Sequence, residues 1–267
     1  MELEVLVVTM GQKDLSLAEK MNIARPAVIA NQNGQWDYTR QGDVQMLSTD
    51  TRGVGINRNY ALSLAEGDIL LFADDDITYY DSTLQGVVDA FRELPEADVI
   101  CFGMDMTRNG AVFDKRRNKI KRVRLWNSMR YGTARVAIRR QALEKNRLSF
   151  STLFGGGCIY CSGEDSLFLR DCFRAKLKVY SHSYVLGACA KDSSTWFTGF
   201  DEKYMYDKGA WLACAFPRWK HLIKWYFIRK YAKKTKLSRK EVVRLVNQGI
   251  RGFDRQESYK EKVGAMR

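Results

Sequence analysis

Residues 52–76 read Arg52-Gly53-Val54-Gly55-Ile56-Asn57-Arg58-Asn59-Tyr60-Ala61-Leu62-Ser63-Leu64-Ala65-Glu66-Gly67-Asp68-Ile69-Leu70-Leu71-Phe72-Ala73-Asp74-Asp75-Asp76. Ile56, Tyr60, Leu62 and Leu64 are spaced as on a helix over Ile56 to Glu66, and Gly67 stops it. From Asp68 to Ala73 the apolar run is unbroken, the pattern of a strand buried on both faces. Three carboxylates follow directly. They repel one another unless a cation or hydrogen bonds compensate them. Side chains alternate along extended backbone, so Asp74 and Asp76 share one face. Two carboxylates so placed suit Mg²⁺ or Mn²⁺, with phosphate oxygens completing the shell. The plainer alternative is a turn-capping Asp beside two solvated ones.

Working outward, Glu4 to Thr9 is another buried strand, Asp14 to Met21 a helix, and Ala27 to Ala30 a strand ending at the turn Asn31-Gln32-Asn33-Gly34. Val44 to Leu47 reads as a third short strand. Asp81 or Ser82 is placed to cap a helix to about Glu93, followed by a strand at Asp98 to Phe102. This alternation predicts an α/β fold with a mainly parallel sheet, whose ligands lie at the carboxyl ends of the strands. Beyond residue 102 the order changes. A strand is expected at Thr133 to Arg139, a helix near Gln141, a Gly-rich loop at Phe154 to Gly157 and a helix opening at Glu164-Asp165. Strands at Leu177 to Tyr180 and Tyr184 to Ala188 precede helices over 201–214, 219–233 and 238–248.

The chain has 267 residues with 45% hydrophobic content, enough for a sizeable core, which excludes a disordered chain. No apolar run approaches the ~20 residues of a spanning helix, and no leader peptide is read at the acidic start, Met1-Glu2-Leu3-Glu4. A cytoplasmic protein is the expectation. The formal charge of +13 is localised: residues 115–140 hold eleven Lys or Arg and residues 218–236 hold eight, neither with an acid. Outside them 25 basic residues face 31 acidic ones, so the basic stretches face a polyanion such as nucleic acid, an anionic membrane or a phosphorylated substrate. The six Cys are read as reduced thiols, and Cys158-x-x-Cys161 lacks the second half of a zinc site.

The 52–76 segment resembles family 2 glycosyltransferases of the GT-A (Rossmann-like) fold. In these a glycine turn, an Arg-Asn pair opening a helix, a Gly-Asp turn and a strand ending in acids occur in this order. Phe154-Gly155-Gly156-Gly157 ahead of Gly163-Glu164-Asp165-Ser166 is similar to the family's Glu-Asp motif at a helix start, and Ser194-Thr195-Trp196-Phe197 is like a segment of bacterial capsule and exopolysaccharide enzymes. The resemblance covers about residues 3–216, with 217–267 a basic helical extension. It implies a mixed, mainly parallel sheet and a metal-dependent transfer from a nucleotide sugar, UDP-linked, to a hydroxyl of a glycan on a membrane-bound polyprenyl diphosphate. Asp165 is implied as the general base of an inverting transfer and Glu164 as an orienting group. Asp76 is implied as the direct metal ligand, and Asp74 as a contact to the ribose or to a metal-bound water. Asp75, Thr9, Asn31, Arg58, Asn59 and Lys191 are placed at the nucleotide sugar, with Arg58 reaching a phosphate and Asn59 tying down a loop. Relatives carry a His beyond the Glu-Asp pair, and His182 is the candidate third ligand here.

Several residues keep a second reading. A carboxylate at a helix start is also a dipole partner, Arg58 is equally an exposed helix residue, and His182 an ordinary histidine. The 115–124 run binds acceptor phosphates or is a solvated hairpin. Residues 218–234, with Trp219, Trp225 and Tyr226 among Lys and Arg, fit the surface of an anionic membrane or pack one side on the protein. A nucleic-acid-binding protein using the basic stretches leaves the acidic motifs unexplained, and nucleic acid is not the expected partner. A nucleotidyltransferase or a turnover-free sugar-nucleotide module on the same fold is the other rival.

Overall fold

In the computed structural model, which describes residues 1–190 and 199–259, the first apolar run forms β1 (Leu3–Met10). Then come α1 (Ser16–Lys20), β2 (Ala27–Gln32), β3 (Asp37–Gln41) and β4 (Val44–Thr49). The 52–76 stretch folds as α2 (Val54–Leu64) and β5 (Ile69–Asp74), followed by β6 (Ile77–Tyr79), α3 (Thr83–Glu93) and β7 (Val99–Arg108). A basic excursion holds β8 (Ala111–Arg116), β9 (Lys121–Arg122) and α4 (Leu125–Ser128). A 3-10 turn (Thr133–Arg135) then leads into β10 (Val136–Arg139), α5 (Arg140–Lys145), α6 (Glu164–Arg174) and β11 (Val179–Ala190). The remaining helices are α7 (Glu202–Ala215), α8 (Lys220–Tyr231) and α9 (Arg239–Phe253).

Two compact units divide these elements: Met1–Ser151 with Asp165–Ser193, and Thr152–Glu164 with Ser194–Arg267. The first unit is a three-layer α/β/α sandwich. Its sheet has the order β3-β4-β2-β1-β5-β10-β7-β11-β6, with β8 added to β7 and β9 to β11. The strands β4, β2, β1, β5, β7 and β11 all run the same way, so the sheet is mixed and mainly parallel, as the 52–76 pattern implies. Alternation sends Val5, Val7, Leu71 and Ala73 to one face, under Leu17 and Met21 from α1 and Val87 and Phe91 from α3. Leu6, Leu70 and Phe72 go to the other, under Ala61, Leu143, Phe168 and Cys172 from α2, α5 and α6. Both faces are covered, which is why these strands are apolar without interruption.

Several expected elements differ. Thr133 to Arg139 is not one strand; it opens as a 3-10 turn, and β10 is antiparallel to both β5 and β7 between which it lies. The two strands expected between 177 and 188 are one, β11, with irregular register between Ser181 and Ala188. Ser82 has φ 64° and neither it nor Asp81 caps α3 through its side chain; Asp81 instead accepts from Asn22 at 2.9 Å. Strands β3 and β8 have no apolar pattern to read because every residue in them is exposed.

In the second unit α7 packs closely on α9. A Cβ at Gly249 would come within 1.8 Å of the Tyr206 carbonyl oxygen, so the two backbones approach closely only because that position lacks a side chain. Asp201 caps α7 by accepting from the Tyr204 N–H, and Ser238 with Glu241 forms a capping box on α9. Phe227 and Ile228 bury one side of α8. Trp219, Leu222, Trp225 and Tyr226 remain exposed along the other.

Candidate functional site

The site lies where β2, β1 and β5 end side by side. Register sets Thr9 opposite Asn31 and Val8 opposite Asp74, so the fold brings Thr9, Asn31 and Asp74 to one edge. The Thr9 hydroxyl donates to Asp75 Oδ2 at 2.6 Å. Asn31 is fully buried and spends its amide locally: it accepts from the Gln12 N–H at 3.0 Å and donates to the Gln12 carbonyl and to Ser48 Oγ. It therefore shapes the loop after β1.

Helix α2 begins directly beneath this edge. Gly55 makes that possible, since a Cβ there would lie 2.0 Å from the Ser151 carbonyl oxygen. Asn57, a residue that sequence reasoning missed, is buried and donates to the carbonyls of Thr9 (3.2 Å) and Ala30 (2.8 Å), pinning α2 to the ends of β1 and β2. Its only sequence signal is its place beside Arg58. Asn59 exchanges two hydrogen bonds with the Phe150 backbone, at 3.0 and 2.8 Å, and ties that segment to α2.

Arg58 is not an exposed helix residue. Its side chain is 5% exposed and lies over the Phe150 ring. Nη2 pairs with Asp74 Oδ1 at 2.9 Å and Nη1 with Asp165 Oδ1 at 3.1 Å. One guanidinium thus joins the end of β5 to the start of α6, carboxylates separated by 91 residues in sequence. The Thr133 hydroxyl, also buried, donates to the same Oδ1 of Asp165. Thr133 was not legible in advance: it reaches the site because β10 is antiparallel, which puts its first residues, not its last, at the carboxyl edge of β5. With Oδ1 held twice, Asp165 Oδ2 faces Gly132, and among the described residues no donor engages it. The carboxylate is about one-third exposed.

In the acidic triplet, burial of the Asp75 carboxyl, with the charges of Asp76 and Asp74 beside it, raises its pKa above the ordinary 3.8 against the opposing Thr9 hydrogen bond. Asp76 Oδ1 accepts from Cys189 Sγ at 3.4 Å, and its carbonyl accepts from the Ala190 N–H, which ties the triplet to the end of β11. Mutual repulsion among three carboxylates is the donor-set chemistry that a divalent cation relieves. Among the described residues no three His, Cys, Asp or Glu converge on one cation position, so ligand or water oxygens would complete any shell on Asp74 and Asp76.

His182 is not brought to these acids. It is buried near the start of β11, 3.1 Å from Glu93 Oε2 and stacked on Tyr184. Asp76 meets that strand at Ala190, eight residues on, which is about 26 Å of extended chain at ~3.3 Å per residue. Glu164, in the second unit, accepts from the Gly163 N–H at 3.0 Å. Lys191 and Ser194 to Phe197 lie outside the described residues.

Residues 28–155 match the family model for glycosyl transferase family 2. The matched segment runs from β2 to Gly155 and includes Arg58 and the aspartate triplet, and it ends before Glu164 and Asp165. The architecture is the GT-A fold. Residues 1–349 of S. aureus TarS in complex with UDP-GlcNAc superpose with a TM-score of 0.58 at 16% identity, covering 98% of this chain and 78% of that one. The same protein in complex with UDP gives a TM-score of 0.58 at 16% identity over 100% and 78% of the two chains. Longer S. aureus TarS gives 0.56 at 15% identity, covering 97% of this chain and 44% of that chain. No curated protein matches the chain in sequence. The family 2 match supports a glycosyltransferase, and the likeness to TarS supports the fold.

Proposed function

We propose that the chain transfers a sugar from a UDP-linked donor to a hydroxyl of a glycan acceptor, with inversion, and that Asp165 is the base. The observation that carries this reading is the Asp165 carboxylate, oriented through Oδ1 by Arg58 and Thr133 while Oδ2 stays open. The acceptor hydroxyl attacks the anomeric carbon as its proton passes to Oδ2. The bond from that carbon to the donor phosphate oxygen breaks, and UDP carries the electron pair away. A positioned base of this kind contributes ~10²–10⁴-fold. TarS has been solved with UDP-GlcNAc and with UDP, which supports UDP as the nucleotide.

Asp76 and Asp74 would hold Mg²⁺ or Mn²⁺, which when bound neutralises charge on the leaving diphosphate. Thr9 and Asp75 line the same edge and bound the nucleotide pocket. Arg58 spans the donor acids and the base, so it fixes their separation. We place the acceptor on a polyprenyl diphosphate at the inner face of the cell membrane, in cell-surface polysaccharide synthesis. The exposed apolar residues of α8, alternating with Lys220, Lys224, Arg229 and Lys230, support docking to anionic lipid. Among the described residues no helix is long and apolar enough to cross a membrane.

The test is Asp165→Asn. Transfer should fall by at least ~10²-fold while stabilisation by UDP with Mn²⁺, read as a thermal shift, is retained. Near-normal turnover in this variant would overturn the base assignment. No stabilisation of the wild-type protein by any nucleoside diphosphate would overturn the transferase reading.

A further inference from the structure

Arg135 ends the 3-10 turn beside the site and is a buried cation. The residue is 6% exposed, and among the described residues its Nε has no hydrogen-bond partner. Nη2 donates to the Arg130 carbonyl at 2.7 Å and Nη1 to the Phe102 carbonyl at 3.4 Å, and the guanidinium lies 5.0 Å from the centre of the Tyr131 ring. Among the described residues no carboxylate pairs with it. A buried guanidinium held only by carbonyls and a ring face is costly, and an anion is what would compensate it.

The groups around it add to the positive charge. Arg130 is exposed and stacks on the same Tyr131 ring at 4.9 Å while donating to the Tyr131 hydroxyl at 2.7 Å. Arg116 is opposite Met104 in the β7–β8 pairing, and its carbonyl packs against Gly103. Its carboxylate partner is the exposed Asp114, a pair that contributes little. Burial lowers the Arg135 pKa, and the charges of Arg116 and Arg130 lower it further, so both act on the buried guanidinium. Two other cations of the basic stretch are engaged elsewhere: Arg117 with Asp105 at 2.5 Å, and Arg122 over the Tyr180 ring.

The sheet order decides which substrate this cluster meets. Thr9 and the nucleotide edge lie on β1 and β2, the aspartate triplet on β5, and Arg135 beyond them between β10 and β7. The cluster is thus on the opposite side of the triplet from the nucleotide edge. Gly132 and Thr133, which adjoin Asp165, sit in the same short segment as Arg130 and Arg135. We infer that Arg116, Arg130 and Arg135 form a phosphate-binding subsite for the acceptor, next to the base, so that the acceptor carries a phosphate group near the hydroxyl that reacts. This rests on the transferase reading for the word acceptor, but the anion site itself does not. Arg116 and Arg130 would make the direct contacts, and Arg135 would supply charge from beneath.

The test uses inorganic phosphate as the probe, with chloride at equal ionic strength as the reference and UDP with Mn²⁺ held at saturation. The full chain should be stabilised saturably by phosphate, and the double variant Arg116→Gln/Arg130→Gln should lose about tenfold in apparent affinity per guanidinium removed. Both side chains are exposed, so the variant should fold; if its melting is not cooperative, Arg116→Gln alone serves, with a single tenfold loss expected. Equal phosphate affinity in wild type and variant overturns the proposal. So does a phosphate effect that vanishes when UDP is bound, because the anion then occupies the donor diphosphate position. Stabilisation by phosphate without any by UDP would uphold the anion site and sink the donor reading; the reverse result would sink the subsite alone. A methyl diphosphate and a bis-glycerol phosphodiester distinguish a lipid-linked diphosphate from a polyol phosphate chain. Saturable binding of either supports the subsite, and binding of neither overturns it.

Discussion

Replacing Arg58 by Met keeps a long apolar side chain over Phe150 and removes only the guanidinium. Asp74 and Asp165 then face each other without their shared partner. Breaking a fully buried pair by deleting one member costs ~3–5 kcal/mol. Here Arg58 is 5% exposed but the two carboxylates are 36% and 34% exposed, so water recovers part of their solvation. A net loss of about 2 kcal/mol is expected, and at ~2–4 °C per kcal/mol for a chain of this size the melting temperature should drop by roughly 6 °C. Differential scanning calorimetry without nucleotide reads that number directly. Arg58→Lys should recover less than half of it, because an ammonium cannot present two parallel donors to two carboxylates. A double-mutant cycle with Asp74→Asn should show coupling of about 1 kcal/mol. Turnover should fall in Arg58→Met even at temperatures where the protein is fully folded, since the base and the donor acids lose the group that spaces them. A melting temperature within 1 °C of wild type, with coupling near zero, would refute the bridge as a structural element.

Asp75→Asn should raise the melting temperature of the nucleotide-free protein at neutral pH. A carboxyl whose folded pKa lies above the ordinary 3.8 binds its proton more tightly in the native state, so it costs stability at neutral pH, and that cost fades as pH falls through the raised value. The difference between variant and wild type should therefore shrink on acidification and be gone below about pH 3.8; a difference independent of pH would contradict the cause assigned. Thr133→Val should leave UDP affinity intact and lower kcat by about tenfold, because it removes one of the two donors that orient Asp165. A change in KM for the donor alone would place Thr133 elsewhere in the cycle. Trp219→Ser/Trp225→Ser/Tyr226→Ser should abolish sedimentation with anionic vesicles while the melting temperature stays put, since all three side chains are exposed. Unchanged sedimentation would remove the membrane from the proposed function.

What the sequence made legible follows from how local each signal is. The acidic end of β5 could be read because a doubly buried strand and the charges that end it lie within nine residues. The sheet itself was readable from runs such as Val5 to Val8 and Ile69 to Ala73, which are apolar on both faces. Arg58 kept two readings, a phosphate contact or solvent, and the structure shows a third. Its partners Asp74 and Asp165 meet it only through the packing of α2 and α6 on one face of the sheet, a long-range consequence with no local pattern. Thr133 was hidden for a related reason, since its strand was expected but its direction was not. His182 kept two readings, a third ligand or an ordinary histidine, and strand register favours the second by putting it far from the triplet and beside Glu93.

The reversed strand β10 has a consequence for how such a protein can diversify. Because it returns between β5 and β7, the chain leaves the sheet on β7 and re-enters at Thr133, and the stretch between is tied down by β8 on β7, by β9 on β11 and by Val123 and Tyr131 in the core. The exposed loops 109–110 and 117–120 lie between these ties. Their length and chemistry can change at small entropic cost, since closing a longer loop adds only ~0.6 kcal/mol per doubling. Exchanging those loops between related chains, with β8, β9, Thr133 and β10 retained, is a route to new acceptor preferences that leaves the donor edge and the sheet untouched.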